Sequence, residues 1–252
     1  MPDPATFPDT LEAVRYVEGW MTPGQARLLW DSAREVPAGG RIVEIGSFRG
    51  RSTIVLARAA DPTVEVVAID PHGGNDRGPQ ELAGFTAEAA EDHAVFNENL
   101  ENAGVRDRVR HVRAWSSAAH PEVDDPLDLL YIDGAHRYGP ALADIRDWGD
   151  RVRPGGTMLI HDSFSSIGVT LALARHLFAS PTWHYVGREG SMTEYRREGR
   201  RRDAKARAAN LARHCRALPW FVRNLAIKGL LVAHLKPVTR LLGYDQEMVW
   251  PH

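Results

Sequence analysis

One stretch of the chain, from Arg41 to Ala57, constrains the fold more than any other. It reads RIVEIGSFRGRSTIVLA, in which a short apolar run leads to two glycines and then to a second apolar run. Apolar runs bounded by glycine suit buried parallel strands, so we predict a strand, a glycine turn and a helix that opens near Ser52 and Thr53. A second predicted strand, Val64 to Ile69, ends in Asp70. This order of elements predicts the nucleotide-type binding site of an α/β sheet.

The remainder of the chain alternates predicted strands with predicted helices. Further strands are predicted at 109–113, 127–132 and 157–160, a closing β pair at 183–186 and 191–197, and helices at 23–36, 93–103, 141–152 and 170–178. Such alternation predicts an α/β fold, a mostly parallel sheet with helices on both faces. We divide the chain into an N-terminal helical segment (1–40), a Rossmann-like domain (41–197) and a basic helical extension (198–252). The connection 71–92 is longer than usual, which fits either a functional lid or disorder.

Composition and charge limit the class of protein. The chain has 252 residues, enough for one large domain with a substantial core, and its single cysteine, Cys215, fits a reducing compartment. The N-terminus shows no secretory pattern and no apolar run reaches the length of a membrane span, so we expect a cytoplasmic protein without a transmembrane segment.

The charge is distributed unevenly along the chain. Residues 196–252 hold 13 of the 31 Lys and Arg but only four acids, although the whole chain has a net charge of −2. The extension could pack on the domain or on a second subunit, cover an anionic or long substrate, or associate with acidic lipid. Clustered arginines also suit nucleic acid, but no aromatic-basic recognition module accompanies them, so we expect no nucleic-acid partner.

Polar residues follow four of the predicted parallel strands. They are Glu44 and Gly46 after the first, Asp70 after the second, Asp133 and His136 in the segment LDLLYIDGAH, and His161 and Asp162 in LIHDSF. In such sheets the ligand lies beyond the carboxyl ends of the strands, so these groups are expected to meet at one site. The first turn reads E-x-G-x-x-x-G and has no phosphate-binding lysine.

From about residue 25 to 200, the chain resembles the class I S-adenosylmethionine-dependent methyltransferases. The resemblance lies in VEIGSFRGRSTIVLA, VVAID, LDLLYIDGAHRYGPALADIRDW, PGG and LIHDSF. It implies that the cofactor S-adenosylmethionine is bound by Glu44, Gly46, Ser47, Gly50, Ser52 and Asp133, with Asp70 on the ribose and Trp115 and Ser116 near the adenine. Structural alternatives stay open: a buried acid for Glu44, a strand-end turn acid for Asp70 and a core aromatic for Trp115.

The IDGAH and HD segments resemble a narrower branch, the metal-dependent O-methyltransferases that include macrolide-sugar and catechol enzymes. The resemblance implies that Asp133 and Asp162 bind Mg²⁺, and carboxylates suit this hard cation. It also implies that His136 is the general base, with Asp133 beside it in the catalytic group. We expect His161 as the third metal ligand. It departs from the family pattern, in which an acid or amide is frequent, so this third ligand stays open. The alternative for His136 is a helix cap or a hydrogen bond to a carboxylate.

The sequence therefore predicts Mg²⁺-assisted methyl transfer to a sugar or oligosaccharide hydroxyl. Arginine outnumbers lysine 28 to 3, a skew that fits an actinobacterium, where a methylated mannose oligosaccharide is one candidate acceptor. A phenolic or antibiotic-type small molecule is the near alternative. A nucleic-acid methyltransferase and a cofactor-binding scaffold without catalysis are the alternatives from other classes. The extension offers a surface for a homo-oligomer.

Overall fold

The computed structural model describes residues 5–73 and 86–244, with the side chains of residues 86–90 left out of the description. The predicted long connection 71–92 therefore lies largely outside the described residues.

Within this part of the chain, seven strands form a single sheet. They are β1 (Arg41–Ile45), β2 (Glu65–Ile69), β3 (Val109–Val112), β4 (Leu127–Ile132), β5 (Val152–Ile160), β6 (Trp183–Glu189) and β7 (Met192–Arg197). The strand order is β3-β2-β1-β4-β5-β7-β6. The first five strands pair in parallel, and β7 runs antiparallel to both β5 and β6. The predicted α/β sheet and its closing β pair are thereby confirmed.

The helices of the described chain are α1 (Phe7–Ala13), α2 (Pro23–Arg34), α3 (Arg51–Ala59), α4 (Thr86–Asn102), α5 (Tyr138–Ala143), α6 (Ile167–His176), α7 (Ala204–Cys215), α8 (Leu218–Val232) and α9 (Lys236–Thr239). The helix expected over 141–152 is instead the short α5 followed by a π-helical turn, Asp144–Trp148. Two further differences are the unpredicted α1 and the earlier start of α4. Helix α2 begins as predicted, because Thr22 and Gln25 form a capping box around Pro23.

Both faces of the sheet are buried, which explains the continuous apolar runs in its strands. One core layer joins Ile42, Val66 and Leu129 to α2 and α3. The other joins Val43, Val67 and Leu130 to α5 and α6. Each strand alternates between the layers because successive side chains point to opposite faces. None of the described helices is long and apolar enough to cross a membrane.

The strand order reverses between β1 and β4, which places a crevice at their carboxyl ends. From β1, the chain passes to β2 and β3 on one side of the sheet before β4 returns to the other side of β1. Neighbouring crossover connections leave the sheet in opposite directions at such a switch point, and ligands bind there. The site predicted from the strand ends therefore lies where the topology opens the sheet.

Gly46 closes the first turn at this switch point. Its φ is +85°, and a Cβ atom at this position would lie 2.2 Å from the carbonyl oxygen of Asp133. Both the left-handed backbone and the approach of a neighbouring main chain therefore require glycine.

Replacing this glycine should separate the two requirements. Gly46→Ala is expected to lower the free energy of unfolding by several kcal/mol, because it adds a main-chain clash to the roughly 1–2 kcal/mol strain of a left-handed alanine. Gly39→Ala is the matched control, since Gly39 has a φ of +75° and nothing within 4 Å of its Cβ position. Urea unfolding of both variants measures the difference. Equal losses would show that the contact with Asp133 costs nothing.

Candidate active site

A cavity of about 780 Å³ opens at the carboxyl ends of β1, β2, β4 and β5. Its wall comes from the turns after these strands, from the segment after β3 and from the chain between α1 and α2. The lining residues include Glu18, Trp20, Met21, Gly46, Ser47, Phe48, Arg51, Ser52, Asp70, His72, Trp115, Ser116, Tyr131, Asp133, His136, Asp144, His161 and Asp162. All four predicted strand ends therefore contribute to one cavity.

Asp70 lines the cavity beside the glycine turn. Its Oδ2 accepts hydrogen bonds from the backbone N–H groups of Ser47 (3.0 Å) and Phe48 (2.9 Å). Its Oδ1 accepts one from the N–H of His72, at 2.7 Å. Asp70 thus holds the glycine turn through hydrogen bonds and also lines the cavity. It acts as a turn acid, and its predicted binding of the ribose stays a prediction.

Glu44 lies behind the turn and does not line the cavity. Its carboxyl group is fully buried and accepts hydrogen bonds from the hydroxyl groups of Ser52 and Thr53 at the start of α3. Burial raises the pKa of Glu44 to about 8, although the two hydrogen bonds from hydroxyl groups act in the opposite direction. Its direct role in the structure is to connect β1 to α3.

Glu44 should make stability depend on pH. In the unfolded chain the Glu44 carboxyl group loses its proton near a pKa of 4.5, whereas in the folded protein it keeps the proton up to about pH 8. The contribution of Glu44 to the free energy of unfolding is therefore complete below pH 4.5 and is lost as the pH rises through about 8. From about pH 6 to about pH 8, the free energy of unfolding should fall in the wild type by on the order of 2 kcal/mol more than in Glu44→Gln. Urea titrations at both pH values measure this. Glu101→Gln, on the exposed side of α4, is the control and should follow the wild type. Parallel pH profiles of the wild type and Glu44→Gln would contradict the assignment.

Gly50 also lies outside the cavity lining. It precedes α3 with a φ of +85°, and its Cβ position faces the ring of Phe96 at 3.2 Å. The second glycine of the motif therefore precedes the helix, whereas Ser52, the second residue of α3, reaches the cavity wall.

Trp115 and Ser116 line the cavity beyond β3. Trp115 is 45% exposed, which rules out the core position considered for it. Ser116 Oγ donates to Asp144 Oδ1 at 2.5 Å, and its carbonyl accepts from Trp148 Nε1 at 3.2 Å. Burial raises the pKa of Asp144 to about 6 despite the bond from Ser116. Asp144, in the π-helical turn, is a lining acid that sequence analysis did not identify.

The opposite half of the cavity holds two aspartates and two histidines. His136 Nε2 lies 2.7 Å from Asp162 Oδ2. His161 Nδ1 lies 3.1 Å from Asp133 Oδ1 and 3.3 Å from Asp162 Oδ2. Tyr131 completes the group by donating its hydroxyl hydrogen to Asp133 Oδ2 at 2.8 Å. The residues predicted to act on the acceptor are thus brought together.

The electrostatics of this half are dominated by the two carboxylates. Burial by itself would lower the pKa of His161, but Asp133 and Asp162 raise it well above its ordinary value. Burial would likewise raise the pKa of Asp162, but His161 and His136 hold it well below its usual range. Asp162 therefore keeps its negative charge although it is buried, and the charged form of His161 lies beside it.

One set of donor atoms at this place has a spacing compatible with a metal ion. Single ligand atoms of Asp133, His136 and Asp162 lie within 4.8 Å of one another. Two carboxylates and an imidazole fit a divalent cation that keeps water or substrate oxygens as further ligands. His161 contacts the same carboxylates, but its side chain is only 3% exposed and lies behind them.

Sequence analysis also missed the part of the wall that comes from the N-terminal segment. The rings of Trp20 and Phe48 stack at 5.5 Å over the glycine turn. Arg51 donates to the carbonyl of Gly19 at 2.8 Å and fixes this segment to α3. The capping motif before α2 located a helix, but no local signal showed that the preceding residues cover the site.

Unpartnered polar atoms mark where a ligand would be held. Ser47 Oγ and Arg51 Nε are buried and have no hydrogen-bond partner among the described residues. Both side chains line the cavity beside the glycine turn. A hydroxyl and a guanidinium there fit a ligand with a carboxylate, which the amino-acid end of S-adenosylmethionine supplies.

The strand order, the crevice at β1 and β4 and the acid after β2 define the Rossmann-like methyltransferase fold of class I. Residues 43–163 match the family model described as "Methyltransferase domain". The match runs from β1 to just beyond Asp162, slightly less than half of the chain, so this part of the chain is similar to a methyltransferase domain.

Two curated relatives and one solved structure resemble the chain. The "Catechol O-methyltransferase" of Mycobacterium tuberculosis is 31% identical over 133 residues, which cover 52% of this chain and 51% of that protein. The "Uncharacterized protein y4gI" of Sinorhizobium fredii is 29% identical over 126 residues, 49% of this chain and 13% of that protein. The chain thus spans about half or less of these relatives. The SAH-bound methyltransferase PaMTH1 of Podospora anserina has a TM-score of 0.55 at 19% identity, over 79% of this chain and 89% of that one, a likeness of fold.

Proposed function

We propose that this protein transfers the methyl group of S-adenosylmethionine to a hydroxyl oxygen of a small acceptor. The observation that supports this most directly is the meeting of Asp133, His136 and Asp162 in the same cavity as the glycine turn and Asp70. One half offers groups suited to a charged nucleoside cofactor, and the other offers a base and carboxylates. The family match over residues 43–163 supports the same class of reaction.

In this reaction the acceptor oxygen forms a bond to the methyl carbon, the sulfonium carbon–sulfur bond breaks and the hydroxyl proton leaves. Ser47, Arg51 and Asp70 would bind and orient the donor at the turn. Trp115 and Ser116 would enclose its adenine. Orientation of donor and acceptor in line supplies a large part of the rate.

His136 is the proposed acceptor of the hydroxyl proton. The Asp162 carboxylate 2.7 Å from its Nε2 fixes the ring and stabilises the imidazolium that forms. Trp20 and Phe48 cover the turn and would limit the access of water to the donor.

The carboxylates of Asp133 and Asp162 would hold Mg²⁺, with His136 or His161 as the further candidate ligand. When bound, such an ion lowers the pKa of an acceptor hydroxyl and fixes its oxygen. The charge and the spacing of the donor atoms support this assignment. His136 cannot serve at the same moment as ligand and base through the same nitrogen, so its two roles make different predictions.

His136→Ala tests which role applies. If His136 is the base, turnover should fall by about a hundredfold to ten-thousandfold, while the affinities for S-adenosylmethionine and for Mn²⁺ as a metal probe stay close to wild type. Single-turnover assays and calorimetric titrations measure these quantities separately. A loss of Mn²⁺ affinity would assign His136 to the metal instead. His234→Ala, an exposed histidine of the C-terminal part, is the control and should change neither. Full activity of His136→Ala would remove it from the mechanism.

For the acceptor, we propose a sugar hydroxyl, in keeping with the Asp-x-x-His arrangement of Asp133 and His136. A methylated mannose oligosaccharide in an actinobacterium is one candidate. The competing acceptor is a catechol or another phenol, which the name of the Mycobacterium tuberculosis relative favours.

A methyl-transfer screen over mannosides, other glycosides and catechols decides between these acceptors. Each acceptor is assayed after EDTA treatment and again after Mg²⁺ is restored. We expect turnover with at least one sugar, its loss with EDTA and its recovery with Mg²⁺, because the carboxylates at Asp133 and Asp162 need the cation beside the acceptor. Turnover with catechols alone would replace the sugar proposal. Activity that EDTA leaves unchanged would refute the metal, and donor binding without any turnover would favour a scaffold.

A further inference from the structure

The C-terminal helical segment, residues 204–244, has a composition unlike the rest of the chain. It contains eight Lys and Arg and no acidic residue, although the chain as a whole has a net charge of −2. The last described residue that forms an ion pair with an acid is Arg202, immediately before this segment. The segment therefore carries positive charge that no acidic residue of its own offsets.

One side of the segment is attached to the methyltransferase domain. Asn210 and His214 of α7 are buried, and the side chain of Asn210 bonds to the N–H of Tyr185 on β6 at 2.8 Å. Asn224 of α8 donates to the carbonyl of Phe164 at 3.1 Å, next to buried Ile227. These anchors fix which side of each helix faces outward.

The outward side of α8 carries no charge. Its two charged residues are both bonded to main-chain carbonyls: Arg223 to Leu242 and Gly243, at 2.6 and 2.9 Å, and Lys228 to Ser165, at 3.0 Å. The exposed positions recur every three or four residues and form one apolar stripe. They are Pro219, Val222, Ala226, Gly229 and Val232.

Large apolar side chains are exposed along the same segment. Val222 is 62% exposed and Val232 81%, and beyond α8 Leu235, Val238 and Leu241 are exposed by 49%, 40% and 86%. Exposed cations flank them at Lys205, Arg216, Lys236 and Arg240. Aliphatic side chains bordered by Lys and Arg are typical of helices that lie in the interface of an anionic bilayer.

We propose that the C-terminal helical segment binds the surface of an anionic phospholipid bilayer. The apolar side chains would enter the interface, and the flanking cations would lie at the level of the acidic headgroups. A second copy of the chain fits less well, because a two-fold contact through this surface would bring the exposed cations of one copy, such as Lys236 and Arg240, towards those of the other. Nucleic acid would engage the cations but leave the aliphatic side chains without a partner.

Vesicle flotation with the full chain tests this directly. We expect the protein to float with vesicles of phosphatidylglycerol and phosphatidylcholine in equal parts, and to stay behind with phosphatidylcholine alone. High salt should weaken the binding, since the headgroup attraction is screened. No flotation with the anionic vesicles at low salt would overturn the proposal.

Matched variants locate the binding surface. The pair Val232→Glu with Leu241→Glu and the pair Lys236→Glu with Arg240→Glu should each reduce vesicle binding on the order of tenfold or more. Tyr16→Glu controls for an exposed apolar residue outside the segment, and Arg15→Glu with Arg34→Glu for the same change in charge. Both controls should bind like the wild type. Equal losses in controls and test variants would overturn the assignment.

Two further outcomes would replace the bilayer with another partner. A concentration-dependent dimer in sedimentation velocity, dissolved by Val232→Glu with Leu241→Glu and found without vesicle binding, would show that a second copy covers this face. Salt-sensitive binding to RNA without vesicle binding would overturn the proposal in the same way. Donor binding and turnover in the absence of lipid should be unchanged in all four variants, so this proposal can fail while the proposed function stands.

Discussion

The site depends on the close contact between the first turn and the end of β4. The Gly46 N–H bonds to the carbonyl of Ile69 at 2.9 Å, and the Asp133 N–H bonds to the carbonyl of Ile45 at 2.8 Å. These bonds join β2, β1 and β4 at the level where their side chains enter the cavity. Gly46 approaches the main chain of Asp133 too closely for any side chain, so the glycine turn and the end of β4 are held in one geometry.

Several acidic residues lie close to this contact, and their surroundings change their pKa values in different directions. Glu44 is removed from water and has a raised pKa, so it contributes little charge near neutral pH. Asp162 keeps its charge because His161 and His136 hold its pKa below the usual range, and Asp133 lies beside His161 at the cavity wall. This division gives Glu44 a structural role and leaves the two aspartates for the proposed chemistry. A sulfonium donor and a divalent cation are both favoured in such a field.

The sequence allowed much of the fold to be predicted, since the strands are buried on both faces and bounded by glycine or acid. The helix predicted over 141–152 is only partly confirmed: the chain is helical from Tyr138 to Arg151, but the α-helix ends at Ala143 and a π-helical turn with buried Asp144 and Trp148 follows. Two hydrogen bonds join that turn to Ser116 in the segment after β3, and Asp144 lines the cavity beside Ser116. The stacking of Trp20 on Phe48 could not be predicted from the sequence either, because these residues are 28 positions apart and only the tertiary fold brings them into contact.

By itself, the sequence determined the order of elements and the residues that follow each parallel strand. Periodicity and local turn chemistry carry this information, and they sufficed to place Gly46, Asp70, Asp133, His136 and Asp162 at one edge of the sheet. The tertiary structure decided which of them reach the cavity. The first stretch, Arg41 to Ala57, illustrates the difference: Gly46, Ser47 and Ser52 line the cavity, while Glu44 and Gly50 support the turn from behind. Strand alternation and the register of α3 against β1 set these directions, and no local pattern in the motif distinguishes them.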